Sequence, residues 1–289
     1  MHATKKAGPG GPFAGKVVWI TGASSGIGRA LAFGFGHAGA RLILSARHRE
    51  GLEAVEGECG TAGEVRLLPL DLANLESLTA AAVNAEALFG RVDIMVHNAG
   101  VALRDRVINT PVAIDQQLMA TNYLGAVVLT KALLPAMLSR HDGCFVVISS
   151  LSGKYGGPLL SAYAAPKHAL HGFFESLRAE VYDDGIQVTI VVPGFIHTPI
   201  TEHALTGSGA RYGKMLQVHA EGMDADRCAA RIIRAVARRK EEVLVGGVEI
   251  GTVYLYRWFP GILSVMMRSH PVRLRNRLLG WLPWRRGRG

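Results

Sequence analysis

Residues 17–28 read VVWITGASSGIG. An apolar run leads into a turn with three glycines, and residues 30–38 that follow are apolar and rich in Gly and Ala. Strand, glycine-rich turn and helix form the context that a dinucleotide fingerprint needs. Glycines let the backbone approach a pyrophosphate closely, and the start of a helix offers N–H donors. The spacing is Thr-Gly-x-x-x-Gly-x-Gly, which differs from the commoner G-x-G-x-x-G, and the stretch predicts a nucleotide site.

A second motif lies in the middle of the chain. Tyr163 precedes Lys167 by four positions, and Ser150 lies 13 positions before the tyrosine. Residues four apart share one helix face, so the ammonium is expected near the phenol. A nearby positive charge lowers a tyrosine pKa from its usual value of about 10. Such a phenol can exchange a proton with a carbonyl or alcohol oxygen, which the serine hydroxyl can also bind.

Apolar and helical segments alternate along the chain. The strand candidates are 16–21, 41–45, 65–70, 92–97, 144–149, 186–192 and 242–245. The helix candidates are 26–38, 49–58, 74–89, 111–139, 163–183 and 224–239. Most strand candidates lack clean alternation, which is typical of parallel strands covered on both faces. The pattern predicts an α/β fold, a Rossmann-like doubly wound parallel sheet of about seven strands. Ligands of such sheets bind beyond the carboxyl ends of the strands, where the motif residues fall.

In sequence order, these motifs resemble the short-chain dehydrogenase/reductase family over roughly residues 15–245. The landmarks are the Thr21–Gly28 turn, Asp71, Asn98-Ala99-Gly100, Asn122, Ser150, Tyr163, Lys167, Pro193-Gly194 and Thr198. The resemblance implies an oxidoreductase that moves a hydride between a nicotinamide and a carbonyl carbon. Composition predicts one catalytic domain, 15–249, between a flexible lead-in rich in Gly, Pro and Lys, 1–14, and a basic, partly amphipathic extension, 250–289.

The resemblance gives four residues a catalytic role. Tyr163 is expected to be the general acid/base, Lys167 to tune it and bind the nicotinamide ribose, and Ser150 to orient the substrate oxygen. Asn122 is expected to help hold a water molecule that links the lysine to solvent; alternatively, it is a helix-kink residue that satisfies backbone groups. Ser149 is the other candidate at the serine position.

The motif contains one departure from the family pattern. The family often has Tyr-x-Ala-Ser-Lys, whereas this chain places Pro166 directly before Lys167. Proline is tolerated in the first turn of a helix but not in its interior. The sequence therefore predicts a helix that starts close to Tyr163.

The resemblance also implies a set of cofactor-binding residues. They are Gly22, Ser24, Ser25, Gly26, Ile27, Gly28, Arg47, Asp71, Asn98, Ala99, Gly100, Tyr163, Lys167, Pro193, Gly194 and Thr198. Ala46 stands where NAD-preferring members carry Asp, and Arg47 follows it. Because an arginine fork suits a phosphate, NADP(H) is the expected cofactor. The alternative for Arg47 is a surface arginine near Glu50 or Glu53.

Other polar residues have structural alternatives. Asp71 could instead be the N-cap of a helix that begins near Asn74. Thr198 could instead be a helix cap before Pro199. His97, which precedes the Asn98 turn where many members carry Asn, is interpreted as structural. His168 and His171 share a helix face, but no carboxylate or cysteine lies in their immediate motif, so no metal is expected.

Composition suggests where the protein works. Three cysteines without a C-x-x-C motif favour a reducing, cytoplasmic compartment. The net charge is +9, and residues from Ile250 onward carry +8 of it, with eight arginines and no acid. A helix over 271–282 would place Leu274, Leu278 and Trp281 on one face among arginines, which fits a membrane interface. Docking on the body, a dimer contact and disorder are the alternatives. Nucleic acid binding is not expected, since no recognised module accompanies the charge.

Substrate specificity is expected in the segment 195–215, whose glycines suit a mobile lid. An apolar pocket is expected from Leu151, Tyr155, Leu159 and Leu205, which favours a steroid-, retinoid- or acyl-like small-molecule carbonyl or alcohol. Family analogy suggests a homo-oligomer, dimer or tetramer, through 111–139 and 163–183. Two other functions stay open, a non-catalytic dinucleotide sensor and a membrane-peripheral binding protein.

Overall fold

The computed structural model describes residues 11–59 and 64–268. All seven strands pair in parallel in one sheet, in the order β3-β2-β1-β4-β5-β6-β7. The strands are β1 Val17–Thr21, β2 Arg41–Ser45, β3 Val65–Leu67, β4 Ile94–His97, β5 Gly143–Ile148, β6 Ile186–Pro193 and β7 Glu242–Val245. This order confirms the predicted doubly wound sheet, whose direction of winding reverses between β1 and β4.

Helices connect the strands on both faces. They are α1 Gly26–His37, α2 Arg49–Cys59, α3 Leu75–Phe89, α4 Val112–Met119, α5 Gly125–Ser139, α6 Ser161–Glu180, α7 Gln217–Ala220, α8 Ala225–Ala237, α9 Gly251–Trp258 and α10 Pro260–Arg268. Alternate residues of each strand enter opposite cores, as the side-chain period of two requires. On β1, Val18 and Ile20 pack with α1, α2 and α8, whereas Val17 and Trp19 pack with α3, α5 and α6.

The predicted start of α6 close to Tyr163 is confirmed to within two residues, but Pro166 does not lie in the first turn. The helix begins at Ser161, two residues before Tyr163, so Pro166 lies in its second turn and is buried. Proline there has no N–H to donate to the carbonyl of Ala162. Tyr163 and Lys167 nevertheless both lie within the helix, which preserves the four-residue spacing.

Helices α4 and α5 are joined by a π-helical segment, Ala120–Leu124, into one helix of 28 residues, Val112–Ser139. Its length and composition would allow it to cross a membrane, which the sequence analysis did not recognise. In the fold, Leu118, Leu129 and Leu133 of this helix are fully buried, as in a core helix of a globular domain.

The remaining predicted features lie at the ends of the chain. The described part of the extension forms α9 and α10, and the predicted face at 271–282 lies outside the described residues. All three cysteines, Cys59, Cys144 and Cys228, are free and buried. Burial raises the pKa of the Cys144 thiol to about 12, which makes it unreactive at neutral pH.

Candidate active site

The glycine-rich turn after β1 is packed too closely for side chains. A Cβ on Gly28 would lie 2.1 Å from the carbonyl oxygen of Gly22 and 2.5 Å from Nδ2 of Asn98. Gly22 has a φ of +65° and Gly26 a φ of +54°, which only glycine adopts readily. The turn therefore presents bare backbone at the carboxyl end of β1, as close approach of a phosphate requires.

Thr21 and Asn98 hold this turn in place. The Asn98 amide donates to the carbonyl oxygens of Thr21 at 2.9 Å and Gly22 at 3.1 Å. The Thr21 hydroxyl donates to the carbonyl of Val96 and accepts from the backbone N–H of Asn98 at 3.1 Å. Asn98 thus joins the ends of β1 and β4. The hydroxyl of Thr21 was not singled out from the sequence, although it opens the glycine motif.

The first turn of α1 fits an anionic ligand. Its N-cap is Ser25, which is exposed, and among the described residues no N-cap hydrogen bond from the Ser25 side chain satisfies that turn. The free N–H groups of a helix start attract negative charge. Ser24 lies beside this turn, and Ile27 packs against the core between α1 and the sheet.

Thr198 lies on the other side of the same turn. Its methyl carbon would be 3.0 Å from a Cβ on Gly26. Thr198 is 9% exposed, and a turn without helix follows Pro199, so the alternative interpretation of Thr198 as a helix cap is wrong. The segment after β6 therefore meets the start of α1.

Tyr163, Lys167 and Ser150 come together beyond β5. Lys167 is 3% exposed, and its ammonium donates to the carbonyl of Ile148 at 2.7 Å. The same nitrogen lies 5.8 Å from the centre of the Tyr163 ring. Ser150 caps a 3₁₀ turn, Leu151–Gly153, by accepting from the N–H of Ser152 at 3.1 Å.

Ser149 points elsewhere. Its hydroxyl is buried and bonds the carbonyl of Lys167 at 3.3 Å and Nε2 of His171 at 2.9 Å. Both contacts attach β5 to α6. The Ser149 hydroxyl is thus committed to packing, whereas Ser150 is a hydrogen-bond partner of the Tyr163 phenol.

The pKa of Tyr163 departs from its usual value in the direction opposite to the expected one. Burial raises this pKa, and the hydrogen bond with Ser150 opposes the rise only in part. Burial also lowers the pKa of Lys167 to about 8, because the low-dielectric surroundings disfavour its charge. Both groups are buried, and burial disfavours the charged form of each: the phenolate of Tyr163 and the ammonium of Lys167. The phenol therefore keeps its proton at neutral pH.

Asn122 lies in the π-helical segment and is 2% exposed. Its amide forms two 2.8 Å hydrogen bonds with the backbone of Val101, one to the N–H and one to the carbonyl. A Cβ on Gly100 would lie 3.4 Å from the Asn122 oxygen and 3.6 Å from the Lys167 nitrogen. Asn122 thus satisfies backbone groups at an irregular helical turn, and π-helical turns recur at functional sites.

A small cavity connects these side chains. Its free volume is about 10 Å³, close to what a single water molecule needs. The polar residues among its lining are Thr21, His97, Thr121, Asn122 and Lys167. His97 bonds the Thr130 hydroxyl at 2.8 Å, and burial lowers the pKa of its imidazole to about 3. His97 is therefore a neutral, buried histidine.

The cofactor-preference residues lie at the ends of β2 and β3. Arg47 is exposed and is the second residue after β2, and within the described residues it forms no ion pair. The neighbouring carboxylate of Glu53 is instead bound by Arg49 at 2.8 Å. Asp71 is exposed and accepts from the N–H of Ala73 at 3.0 Å, while Asn74 stands at the start of α3, so Asp71 is not the N-cap of that helix.

The Pro193-Gly194 turn ends β6. Gly194 donates to Val245 of β7 at 2.8 Å, and a Cβ on Gly194 would overlap the carboxylate of Glu249. That carboxylate accepts from the N–H groups of Phe195 and Gly247, both at 2.9 Å. Glu249 therefore ties the start of the extension to the segment after β6. No sequence motif pointed to it.

The predicted lid and pocket are only partly assembled around Tyr163. Leu205 bonds the backbone of Ala102 and Arg104, and it packs with Leu103 against Tyr163. Leu151 instead belongs to the core. The Tyr155 hydroxyl lies 2.6 Å from that of Thr252 on α9. Leu159 has a φ of +69° and accepts from the N–H of Asp105.

The two histidines of α6 have different surroundings. His168 bonds the carbonyl of Ala164. His171 lies with Glu175 and Glu242, and their ligand atoms are within 4.8 Å of one another. The sequence analysis missed these carboxylates. Lys154 pairs with Glu242, so the ammonium of Lys154 already brings a positive charge to these carboxylates.

Comparisons with known proteins identify the family of this chain. The family model described as short chain dehydrogenase matches residues 16–208. The chain is 42% identical over 268 residues to a Drosophila melanogaster "Dehydrogenase/reductase SDR family protein 7-like", covering 91% of this chain and 82% of that protein. It is 41% identical over 268 residues to "Dehydrogenase/reductase SDR family member 7B" of Xenopus tropicalis, covering 90% and 87%.

Solved structures show the same architecture. A short chain dehydrogenase/reductase from Burkholderia phymatum in complex with NAD has a TM-score of 0.78 at 24% identity, covering 87% of this chain and 96% of that one. A metagenomic short-chain oxidoreductase in complex with NADP has a TM-score of 0.68 at 31% identity, covering 81% and 98%. The family model and the relatives agree with the fold, and this chain belongs to the short-chain dehydrogenase/reductase family of oxidoreductases.

Proposed function

We propose that this protein is an NADP(H)-dependent reductase that interconverts a carbonyl and an alcohol. The observation that carries the proposal is the meeting of Ser150, Tyr163 and Lys167 beyond β5, next to a glycine turn that no side chain can enter. The turn, the free start of α1 and Thr198 would hold the cofactor. When bound, its nicotinamide supplies the hydride.

Tyr163 is the proton donor in this proposal. Its raised pKa keeps the phenol protonated at neutral pH, which suits donation to the developing alkoxide of a carbonyl substrate. Ser150 bonds the same substrate oxygen and stabilises its growing charge. A protonated phenol is thus ready to donate in the direction of carbonyl reduction.

Lys167 and Asn122 connect the phenol to water. The lysine, whose pKa of about 8 lies near neutrality, can give up and regain a proton under ordinary conditions. The cavity of about 10 Å³ between Lys167 and Asn122 has room for the water molecule that would pass this proton onward. We assign Lys167 to tuning and reprotonating Tyr163 and Asn122 to holding that water.

NADP(H) is the proposed cofactor because of the end of β2. Ala46 offers no carboxylate to bind a ribose 2′-hydroxyl or repel a phosphate. Arg47 is exposed and unpaired among the described residues, whereas Arg49 is engaged by Glu53. Arg47 would bind the 2′-phosphate through its guanidinium fork. The remaining contacts would come from Asp71 at the end of β3 and the Pro193-Gly194 turn.

The substrate is proposed to be an apolar small-molecule carbonyl of steroid-, retinoid- or acyl-like character. Support comes from a small apolar cluster around Leu103, against which Tyr163 and Leu205 both pack. A cytoplasmic location is supported by the three free cysteines. Family analogy alone suggests assembly through the helices α4, α5 and α6.

NADPH oxidation across a panel of apolar ketones and aldehydes tests the proposal. Tyr163→Phe should lower kcat by about 10³-fold, because it removes the acid, while NADPH affinity stays within about twofold. Tyr182→Phe is the matched control, since Tyr182 is 65% exposed and remote from the motif. NADPH binding without turnover on any substrate would instead indicate a dinucleotide sensor.

A further inference from the structure

The extension presents an exposed apolar surface, which we name the C-terminal apolar surface. Its members are Tyr254 (56% exposed), Trp258 (71%), Phe259 (58%), Ile262 (52%) and Met266 (53%). Across residues 11–59 and 64–268, no other tryptophan or phenylalanine is exposed. Clusters of large exposed apolar side chains mark sites of interaction with a partner or a membrane.

This surface is attached to the body through α9. Thr252 bonds the hydroxyl of Tyr155 at 2.6 Å, and the rings of Tyr155 and Tyr256 lie 5.8 Å apart. On α10, Leu263 is only 2% exposed. The contacts of α9 with Tyr155 leave Tyr254 and Trp258 exposed, and on α10 Ile262 and Met266 stay exposed while Leu263 is buried. The exposure of these apolar side chains follows from the way in which α9 and α10 pack.

The charge around the surface selects its occupant. Arg257 and Arg268 are exposed on the two helices, and no acidic residue follows Glu249 in the sequence. The sequence that follows, 269–289, lies outside the described residues and contains six arginines, Trp281 and Trp284. Aromatic side chains next to arginines, without acids, suit the interface of a membrane with anionic headgroups.

Two other occupants fit this composition less well. A second copy of the chain would bring one segment of charge +8 against another, and like charges repel. Nucleic acid would satisfy the arginines but leave Trp258, Phe259 and Ile262 in water. A lipid interface satisfies both the charges and the apolar side chains.

We propose that α9 and α10 dock the protein peripherally on an anionic phospholipid surface, with the side chains of Trp258, Phe259, Ile262 and Met266 entering the headgroup region. The surface lies next to the active-site segments, because Tyr155 follows the Ser150 turn and Glu249 bonds the segment after β6. Docking of this kind does not depend on the proposed catalytic function.

Sedimentation of the full-length protein with vesicles tests the proposal. One vesicle is phosphatidylcholine alone, and the other contains roughly 30% phosphatidylserine, enough to give a negative surface potential. The wild type should bind the anionic vesicles and lose most binding in high salt, which screens the arginines. The double variant Trp258→Ser/Phe259→Ser should bind these vesicles at least about tenfold more weakly than the wild type, because two large apolar side chains no longer enter the interface.

A matched variant controls for general loss of surface hydrophobicity. Val107 and Ile108 are 72% and 82% exposed on a distant turn, and the change of both to Ser should leave vesicle binding unchanged. Circular dichroism and the melting temperature should show that all variants fold. The proposal is overturned if the wild type ignores anionic vesicles or if the double variant binds them like the wild type. It is also overturned if light scattering shows that the double variant only converts a dimer to a monomer.

Discussion

The edge of the sheet around Tyr163 and the C-terminal apolar surface are built in opposite ways. At the edge, polar groups such as Lys167, Asn122 and Thr21 are buried and bonded to backbone. On α9 and α10, by contrast, large apolar groups face outward. Polar residues are usually exposed and large apolar residues usually buried, and both regions reverse this distribution. Such reversals are expected at functional sites, which are not optimised for stability alone.

The two regions also differ in how tightly they are determined. In the glycine turn, a Cβ on Gly22 or Gly28 would clash with neighbouring atoms. Trp258 and Ile262 are exposed, so their replacement should disturb little packing. The edge is therefore expected to be sensitive to single changes and the surface insensitive. The following predictions, from the largest expected effect to the smallest, would break or sharpen that contrast.

Gly28→Ala should abolish cofactor binding. The new Cβ would lie 2.1 Å from the oxygen of Gly22, so the turn must open, and the affinity for both NADPH and NADH should fall more than about 100-fold. Fluorescence titration measures the effect. Gly57→Ala is the matched control, because nothing lies within 4 Å of a Cβ there. Equal affinities in the two variants would show that the turn is not the cradle.

Arg47→Ala should weaken NADPH binding about 10- to 100-fold and leave NADH binding within about twofold, because only a 2′-phosphate needs the guanidinium. The control is Arg49→Ala, which removes the arginine already bound to Glu53. Dissociation constants for both cofactors give the measurement. An equal loss for NADH and NADPH would remove the argument for NADP(H).

Stability should fall in acid because of His97. Its folded pKa is about 3, while the unfolded residue titrates near 6.5. Between these values the unfolded chain binds the extra proton, so the free energy of unfolding decreases as pH falls below 6.5. The loss from this residue should reach about 2 kcal/mol at pH 5.

Urea unfolding at pH 7.5 and pH 5 measures this difference. His97→Asn should reduce the acid-induced loss, whatever its effect on stability at pH 7.5. If His97→Asn and the wild type lose the same stability in acid, the buried neutral histidine is not the cause.

The smallest effects are expected at the extension. Tyr155→Phe should lower the free energy of unfolding by about 1 kcal/mol, because it removes the hydrogen bond to Thr252. Trp258→Ser should change it by less than about 0.5 kcal/mol, as for other exposed positions. Denaturant midpoints of the two variants check this order. A large loss at Trp258 would mean that the apolar surface is part of the core.

Sequence reasoning located the fold and most motif positions for physical reasons that can be named. Strand runs such as 144–149 are apolar because helices cover both faces, and glycine spacing reflects close backbone approach. The spacing of Tyr163 and Lys167 fixed their common helix face. All of these signals are local in the sequence.

Long-range contacts account for what was missed. The direction in which the Tyr163 pKa shifts depends on how completely the surrounding chain excludes water. The spacing of residues in the sequence does not encode this. Glu249 gains its role only when β6 and β7 pair, and His171 meets Glu242 from 71 positions away. The start of α6 at Ser161 shows that Pro166 is accepted within a helix that tertiary packing stabilises.

The hydrogen bonds of Asn98 to the glycine turn have a thermodynamic consequence. The turn loses its conformational entropy when the chain folds, and so it need not lose it when a dinucleotide binds. Association then proceeds without an ordering penalty, so calorimetry should find an entropy term dominated by released water, and mixing experiments should find a single fast phase.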